Sequence, residues 1–287
     1  MIQADLTGTS GPAQRLGRIS LRDRIDMYVV AARQAVMEQL QYRAANIMFM
    51  VHVLIEPVIY LVVWSTIARS QGGEIGGYTA AQFAGYYIIW TLVRQFNLTL
   101  GPYAFNWRIK EGRLAAELLR PVHPIQVDLG YYLGYKIPQT LYWLPMGVIL
   151  WLLFRPEINP DWWQVLVFPV ALLMAFFVRF CFMWVLGLVC FWTEKVDALF
   201  ELYFATELLF SGRLVPLEVM PAWAQTISGF LPFQWTFYFP IEVLLGRVGL
   251  AEFGWGLLAQ IAWVAGGYAL IMLVWKRAIR RFTAVGS

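Results

Sequence analysis

The chain has 287 residues, of which 60% are hydrophobic and 14% charged, against about 25% charged in an ordinary globular protein. A sphere of this size cannot hide that much apolar surface, and the same figures exclude a disordered chain, a disulfide scaffold and a collagen-like rod. The net charge of +4 does not indicate nucleic acid, because the 14 Trp, 14 Tyr and 20 Phe sit in apolar runs and not between basic residues.

Lipid is therefore the expected solvent. The first forty residues contain no apolar signal core and carry Arg15, Arg18, Arg22, Arg24 and Arg33. Between Asp23 and Arg43, the residues Ile25, Val29, Ala32, Val36 and Leu40 recur at helical steps. Two readings stand: an amphipathic helix in the membrane interface, or a cytosolic helix packed on its own protein. This tail and helix occupy residues 1–43, a transmembrane domain 44–278, and a second tail 279–287. Apolar segments lie near 47–67, 83–100, 127–154, 162–192, 196–215 and 253–275. A span needs about 20 apolar residues, and the fifth segment reaches that only when extended to both of its limits. Lys136, Pro138 and Pro145 interrupt the third and predict a kink. The stretch Phe230–Leu245 is broken by Pro232 and Pro240 and reads as a re-entrant or surface-lying segment. The expectation is an all-α membrane protein with six transmembrane helices.

Six spans place both termini on one side. Fifteen basic residues then share that side, including Arg108, Lys110, Arg113, Arg120, Lys195 and the C-terminal Lys276, Arg277, Arg280 and Arg281. Only Arg69, Arg155, Arg213 and Arg247 fall opposite. The positive-inside rule puts both ends in the cytoplasm.

Two connecting segments carry pattern. The first runs from Phe105 to Pro124, with Arg113 and Glu117 spaced as an ion pair on a short helix that Pro121 and Pro124 terminate. Such a helix suits the docking of a soluble partner; a solvated charged turn is the plainer reading. The second contains Gly212, Val215-Pro216, Pro221, Trp223 and Pro232. Pro221 and Pro232 can each start a short helix. Helices that dip into the outer leaflet would form an outer gate; an ordinary amphipathic surface loop is the alternative.

These two segments, in this order, resemble the permease subunits of type-2 ATP-binding-cassette (ABC) exporters, in a poorly characterised bacterial branch. That family carries Glu-Gly, Leu-Leu and a Pro turn in its first intracellular loop, matched here by Glu111-Gly112, Leu118-Leu119 and Pro121. Its Gly, Val-Pro and second Pro after the fifth span are matched by Gly212, Val215-Pro216 and Pro221. The resemblance implies a multi-pass protein of the bacterial inner membrane that does no chemistry itself. It implies separate ABC ATPase subunits, which use the ATP and Mg, and a second permease, identical or paralogous. It makes Trp107, Arg108, Lys110, Glu111, Gly112, Arg113, Glu117 and Arg120 the expected ATPase-docking helix. No Gly-Lys pair occurs in the chain, so no phosphate-cradling loop is present.

Five charges fall inside apolar segments: Glu56, Arg94, Lys136, Arg179 and Glu207. Each costs about 2.5–3.5 kcal/mol at a helix centre on insertion scales, so each is expected to face protein or water and to find a partner. Glu56 and Glu207 are the partners available to Arg179. The set either lines the transport path or holds the bundle together. An ion-coupled transporter would use the same residues, but no inverted repeat is evident. A membrane enzyme would need a cluster that His52 and His123, far apart, do not provide, and no metal site is expected. Gly254-Trp255-Gly256 with Ala259 imitates a dinucleotide fingerprint but follows no strand. Gly130 and Gly134 have the spacing of close helix packing. Cys181 and Cys190 read as small packing residues, and the Asn97-Leu98-Thr99 sequon as chance.

Overall fold

The computed structural model describes residues 21–193 and 196–281. Arg15, Arg18, the Arg24 side chain, Lys195 and residues 282–287 lie outside them. The described chain is mostly helical, with connecting loops and one two-stranded hairpin, β1 (Glu74–Ile75) against β2 (Tyr78–Thr79). Among the described residues, four helices are long and apolar enough to cross a membrane. They are α2 (Arg43–Ser70), α6 (Pro124–Phe154), α7 (Trp162–Leu188) and α11 (Leu250–Ala278). Exposed Ile47, Met48, Leu152, Leu153, Leu258 and Ile261 belt their outer faces, as a lipid-solvated surface requires. Helix α6 continues unbroken through Pro138 and Pro145.

The second and fifth expected spans are shorter than their apolar segments. Helix α3 (Ala80–Phe96) has 17 residues, and α8 (Asp197–Phe210) has 14. At about 1.5 Å per residue α8 is only about 21 Å long, against a hydrocarbon core of about 30 Å. It stops where Gly212 takes a left-handed φ of 80°, so residues 211–215 do not continue the helix as expected. Helix α3 stops because Asn97 leaves it, sending its side-chain amide to the Thr236 carbonyl.

Helix α3 is the centre of the molecule. A Thr79–Gln82 capping box opens it, and Phe83, Tyr86, Tyr87, Trp90 and Val93 are all buried. Helix α2 packs along one side, with Trp64 stacked on Phe83, and α6 along another, where Trp143 donates to the Thr91 hydroxyl.

Helix α1 (Leu21–Gln41) buries a different stripe from the apolar one. Ala31, Ala35 and Gln39 are buried, while Ile25, Val29 and Leu40 stay exposed. The buried face lies on α6, running in the same sense. A side chain on Gly134 would overlap the Ala32 backbone, and one on Gly130 would press on Tyr28 and Ala31. The small-residue spacing therefore serves packing within this chain. At the end of α1, the Gln39 side chain accepts from Gln139, which in turn accepts from Gln95 of α3.

Helices α7 and α11 pack side by side from Trp163 against Phe253 to Trp184 against Trp275. A Cβ on Gly267 would meet Cys181, and one on Gly256 would enter the Phe239 ring. Gly256 is thus a packing position in α11, with nothing of a nucleotide site about it. Cys181 and Cys190 are free and buried.

Candidate functional site

Three clusters hold the expected functional residues. The first lies at one end of the bundle, between α3 and α6. The stretch Trp107–Arg120 is two helices, not one: α4 (Pro102–Lys110) and α5 (Arg113–Leu118). Gly112 separates them at φ 67°, a left-handed conformation that glycine adopts at no steric cost. The break re-aims the charges. Glu117 does not pair with Arg113 as its spacing predicts; Arg108 takes it, with contacts of 2.6 and 3.2 Å. Arg108 also binds both oxygens of Asp128 in α6, at 2.9 and 3.1 Å. Trp184 of α7 donates to the same carboxylate. Arg108 and Glu117 are therefore turned inward and anchor the loop. Arg113 lies over the Trp107 ring, 4.2 Å from its centre. The surface presented outward consists of Trp107, Lys110, Glu111, Arg113 and Arg120, with Leu119 88% exposed. His123 closes the loop, its Nδ1 accepting from the Ile125 N–H and its ring 4.6 Å from that of Trp275. Burial lowers its pKa from the ordinary 6.5. The sequence missed Asp128 because one carboxylate at a helix start has no distinguishing neighbour.

The second cluster sits in the middle of the bundle. Arg94 of α3 pairs with Glu56 of α2 at 2.7 Å. Arg179 of α7 grips Glu207 of α8 through Nε and Nη2, at 2.9 and 3.1 Å, and gives its Nη1 to the Asn97 carbonyl. Arg213 joins the two pairs, reaching Glu56 at 3.5 Å and Glu207 at 3.2 Å. Four of the five expected charges thus form one chain. Arg213, which the orientation count places on the opposite side, is its link. Nothing in the sequence marks Arg213, because the non-helical turn at Ser211-Gly212 sends it back into the bundle. Lys136 is apart: it donates to the Leu98 carbonyl and lies 4.2 Å from the centre of the Phe176 ring. A cavity of about 510 Å³ opens on the cluster, lined by Glu56, Arg94, Arg179, Arg213 and the apolar Phe204 and Phe237 among others.

The third cluster is built by the segment after α8. Gly212 is wedged against Tyr86 and Tyr238, where a Cβ would collide with both. The Tyr86 hydroxyl donates to the Gly212 carbonyl, and Tyr87 and Trp64 both donate to that of Leu214. Past Pro216 the chain reaches Glu218, then Pro221 caps α9 (Ala222–Gly229). Trp223 is exposed, edge-on to Phe210. Helix α9 leads back into the bundle, where the turn that Pro232 opens places Phe233 against Tyr203 and Phe237 over Arg179 and Arg213. Helix α10 (Tyr238–Leu245) then returns beside α3 to the hairpin end. There the Tyr78 hydroxyl stands 2.8 Å from Glu242 and 3.0 Å from Glu218. A hydroxyl has one proton, so both contacts are hydrogen bonds only when one carboxyl is itself protonated. Burial beside Glu218 pushes the Glu242 carboxyl up, against Arg247, which pairs with it at 3.0 Å.

Among the described residues, no group of His, Cys, Asp or Glu is arranged to hold a metal. A family model described as ABC-2 family transporter protein matches residues 54–286. No curated protein matches the chain.

Proposed function

Because the chain belongs to the ABC-2 transporter family, and so supplies the membrane permease component of an ABC transporter, we propose that it forms the path of an ATP-driven exporter. Separate ATPase subunits dock on the outward surface of α4 and α5, and a second permease completes the path. The observation that carries this reading is the division of labour in the α4–α5 loop. Arg108 and Glu117 lock the loop to Asp128 of α6, while Trp107, Lys110, Glu111, Arg113 and Arg120 remain outward. A loop that is rigidly tied to a long helix yet leaves a charged, aromatic face free can pass a push from a soluble subunit into the bundle.

In this reading the α4–α5 end is cytoplasmic, as the concentration of basic residues supports. The chain has six spans in a bacterial cytoplasmic membrane. Helices α3 and α8 cross with help: α3 is wrapped by protein, and the hairpin of α9 and α10 fills the depth that α8 does not. That hairpin is the re-entrant outer gate. The exposed apolar stripe of α1 rests in the cytoplasmic membrane interface. The α2–α8 face that carries the charge chain cannot face lipid, because Glu56 keeps 33% of its side chain exposed and an exposed carboxylate at that depth needs protein or water. It faces the second permease and the path between them.

The test is purification of the tagged chain from detergent. An ATPase subunit should accompany it, and Glu111→Arg or Arg113→Glu should abolish that association without reducing membrane insertion. Transport by the chain with no ATPase present would overturn the reading.

A further inference from the structure

The charge chain does not balance. Among the described residues, three guanidiniums, Arg94, Arg179 and Arg213, share two carboxylates, Glu56 and Glu207. The excess is one positive charge in the middle of an apolar bundle. The remaining charged group on the cavity is Glu201. It lies on an exposed face nearer the start of α8, where the Tyr103 hydroxyl donates to it. It therefore marks the mouth on the α4–α5 side and does not neutralise the deep end. The Nε of Arg213 is buried with no acceptor, although both of its terminal nitrogens are used. A guanidinium left so is short of one acceptor, and a planar fork is the side chain best shaped to bind carboxylate or phosphate oxygens.

The walls give the rest of the ligand. Leu98, Phe204, Leu208 and Phe237 line the cavity beside the arginines. On the other side of the Glu56–Arg94 pair, a second space of about 300 Å³ runs along α2, bordered by Ile55, Ile59 and Tyr60. The two spaces share Glu56 and Arg94. The Glu56–Arg94 pair thus stands between a charged cavity with apolar walls on one side and a largely apolar groove along α2 on the other. Phe237, 5.5 Å from the Arg213 guanidinium and 5.6 Å from that of Arg179, closes the charged cavity towards the hairpin end.

Resting on the permease reading, we propose that this cavity binds the transported substrate, an amphiphile with an anionic headgroup, phosphate or carboxylate. The headgroup sits on Arg213 and Arg94, and the apolar tail lies along α2. Binding completes the charge balance of the cluster. The substrate enters past Glu201 and leaves when Phe237 and the α9–α10 hairpin move aside.

The experiment uses the full chain in nanodiscs of zwitterionic lipid, titrated with dodecyl phosphate, dodecyltrimethylammonium and inorganic phosphate. Dodecyl phosphate should bind saturably, and the ammonium amphiphile should not. Loss of one guanidinium in Arg213→Gln or Arg94→Gln should weaken binding about tenfold or more, with Arg213→Lys falling between. Equal binding of both amphiphiles to the unchanged chain would overturn the proposal without recourse to any variant. So would unchanged affinity in both glutamine variants, or inorganic phosphate binding as tightly as dodecyl phosphate, which would leave a bare anion site. ATPase co-purification, measured on the same preparation, separates the two claims. If the ATPase is retained and dodecyl phosphate ignored, the substrate assignment alone fails; if the ATPase is absent, the permease reading fails.

Discussion

Arg108 shows how far a residue's role departs from its place in a pattern. Read in sequence, it is one of four basic residues on a docking helix. In the folded chain it is the bolt between α4, α5 and α6, because two carboxylates converge on it in a partly buried site. Arg108→Ala leaves Asp128 buried without its cation, an arrangement that costs about 3–5 kcal/mol. A fall in the detergent melting temperature should report it, and Arg108→Lys should recover only part, since a lysine cannot serve both carboxylates with a planar fork. His123 gives a pH dependence. Its folded pKa lies below the ordinary 6.5 because burial disfavours the imidazolium, so in that window the unfolded chain binds more protons than the folded one. Stability therefore falls as pH drops below about 6.5 and levels off below the folded pKa. Protonation also removes the Nδ1 acceptor that caps α6. The melting temperature of His123→Asn, which keeps a capping oxygen, should vary less over the same range than that of the wild type.

Among the elements, the long helices and their apolar lengths were readable directly, because a span needs about 20 lipid-compatible residues and little else in a sequence looks like that. The helix ends were not. Segment five reads apolar to residue 215, yet α8 stops at Phe210 because the turn at Gly212 is a backbone event that hydropathy does not register. Helix α1 was half legible. Its apolar stripe was visible, but the face that packs on α6 is made of Ala31, Ala35 and Gln39, small or polar residues whose value lies in close approach. Gly134→Ala should separate α1 from α6, an overpacking cost of about 1–3 kcal/mol, seen as lowered thermal stability. Gly112→Ala meets no neighbour within 4 Å, so it pays only for its left-handed backbone, about 1 kcal/mol. Helix α5 should loosen while the bundle keeps its melting temperature, and limited proteolysis at the α4–α5 loop would reveal it.

For the whole molecule, composition alone identified lipid as solvent, and charge asymmetry gave an orientation. The assembly of the charge chain was only half legible. Glu207 was foreseeable as a partner of Arg179, since few acids lie at that depth. Arg213 was not, because it comes from a loop that folds back, and nothing local to its sequence says so. The exposed α2 face beside this chain is where a second copy or a paralogue would meet it. Ile59→Cys, on that face and 52% exposed in the single chain, should therefore form an oxidant-dependent cross-linked dimer in membranes. The native Cys181 and Cys190, both buried, should give no background. Absence of the cross-link at Ile59 and at Ile55 alike would exclude a second copy of this chain at that face.

The pairing of Glu56 with Arg94 also constrains how the chain is made. Helix α2 leaves the ribosome first, carrying a carboxylate that lipid will not accept alone. Helix α3 follows with Arg94, Gln82 and Gln95, and at 17 residues it is short for a span. Each carries a charge whose partner lies on the other. Released together, as an antiparallel pair joined by the short β1–β2 turn, each neutralises the other's charge and hides its polar face. Insertion as a pair would spare each helix the cost of a lone charge in lipid, which would make the first unit of biosynthesis a pair of helices and not a single span.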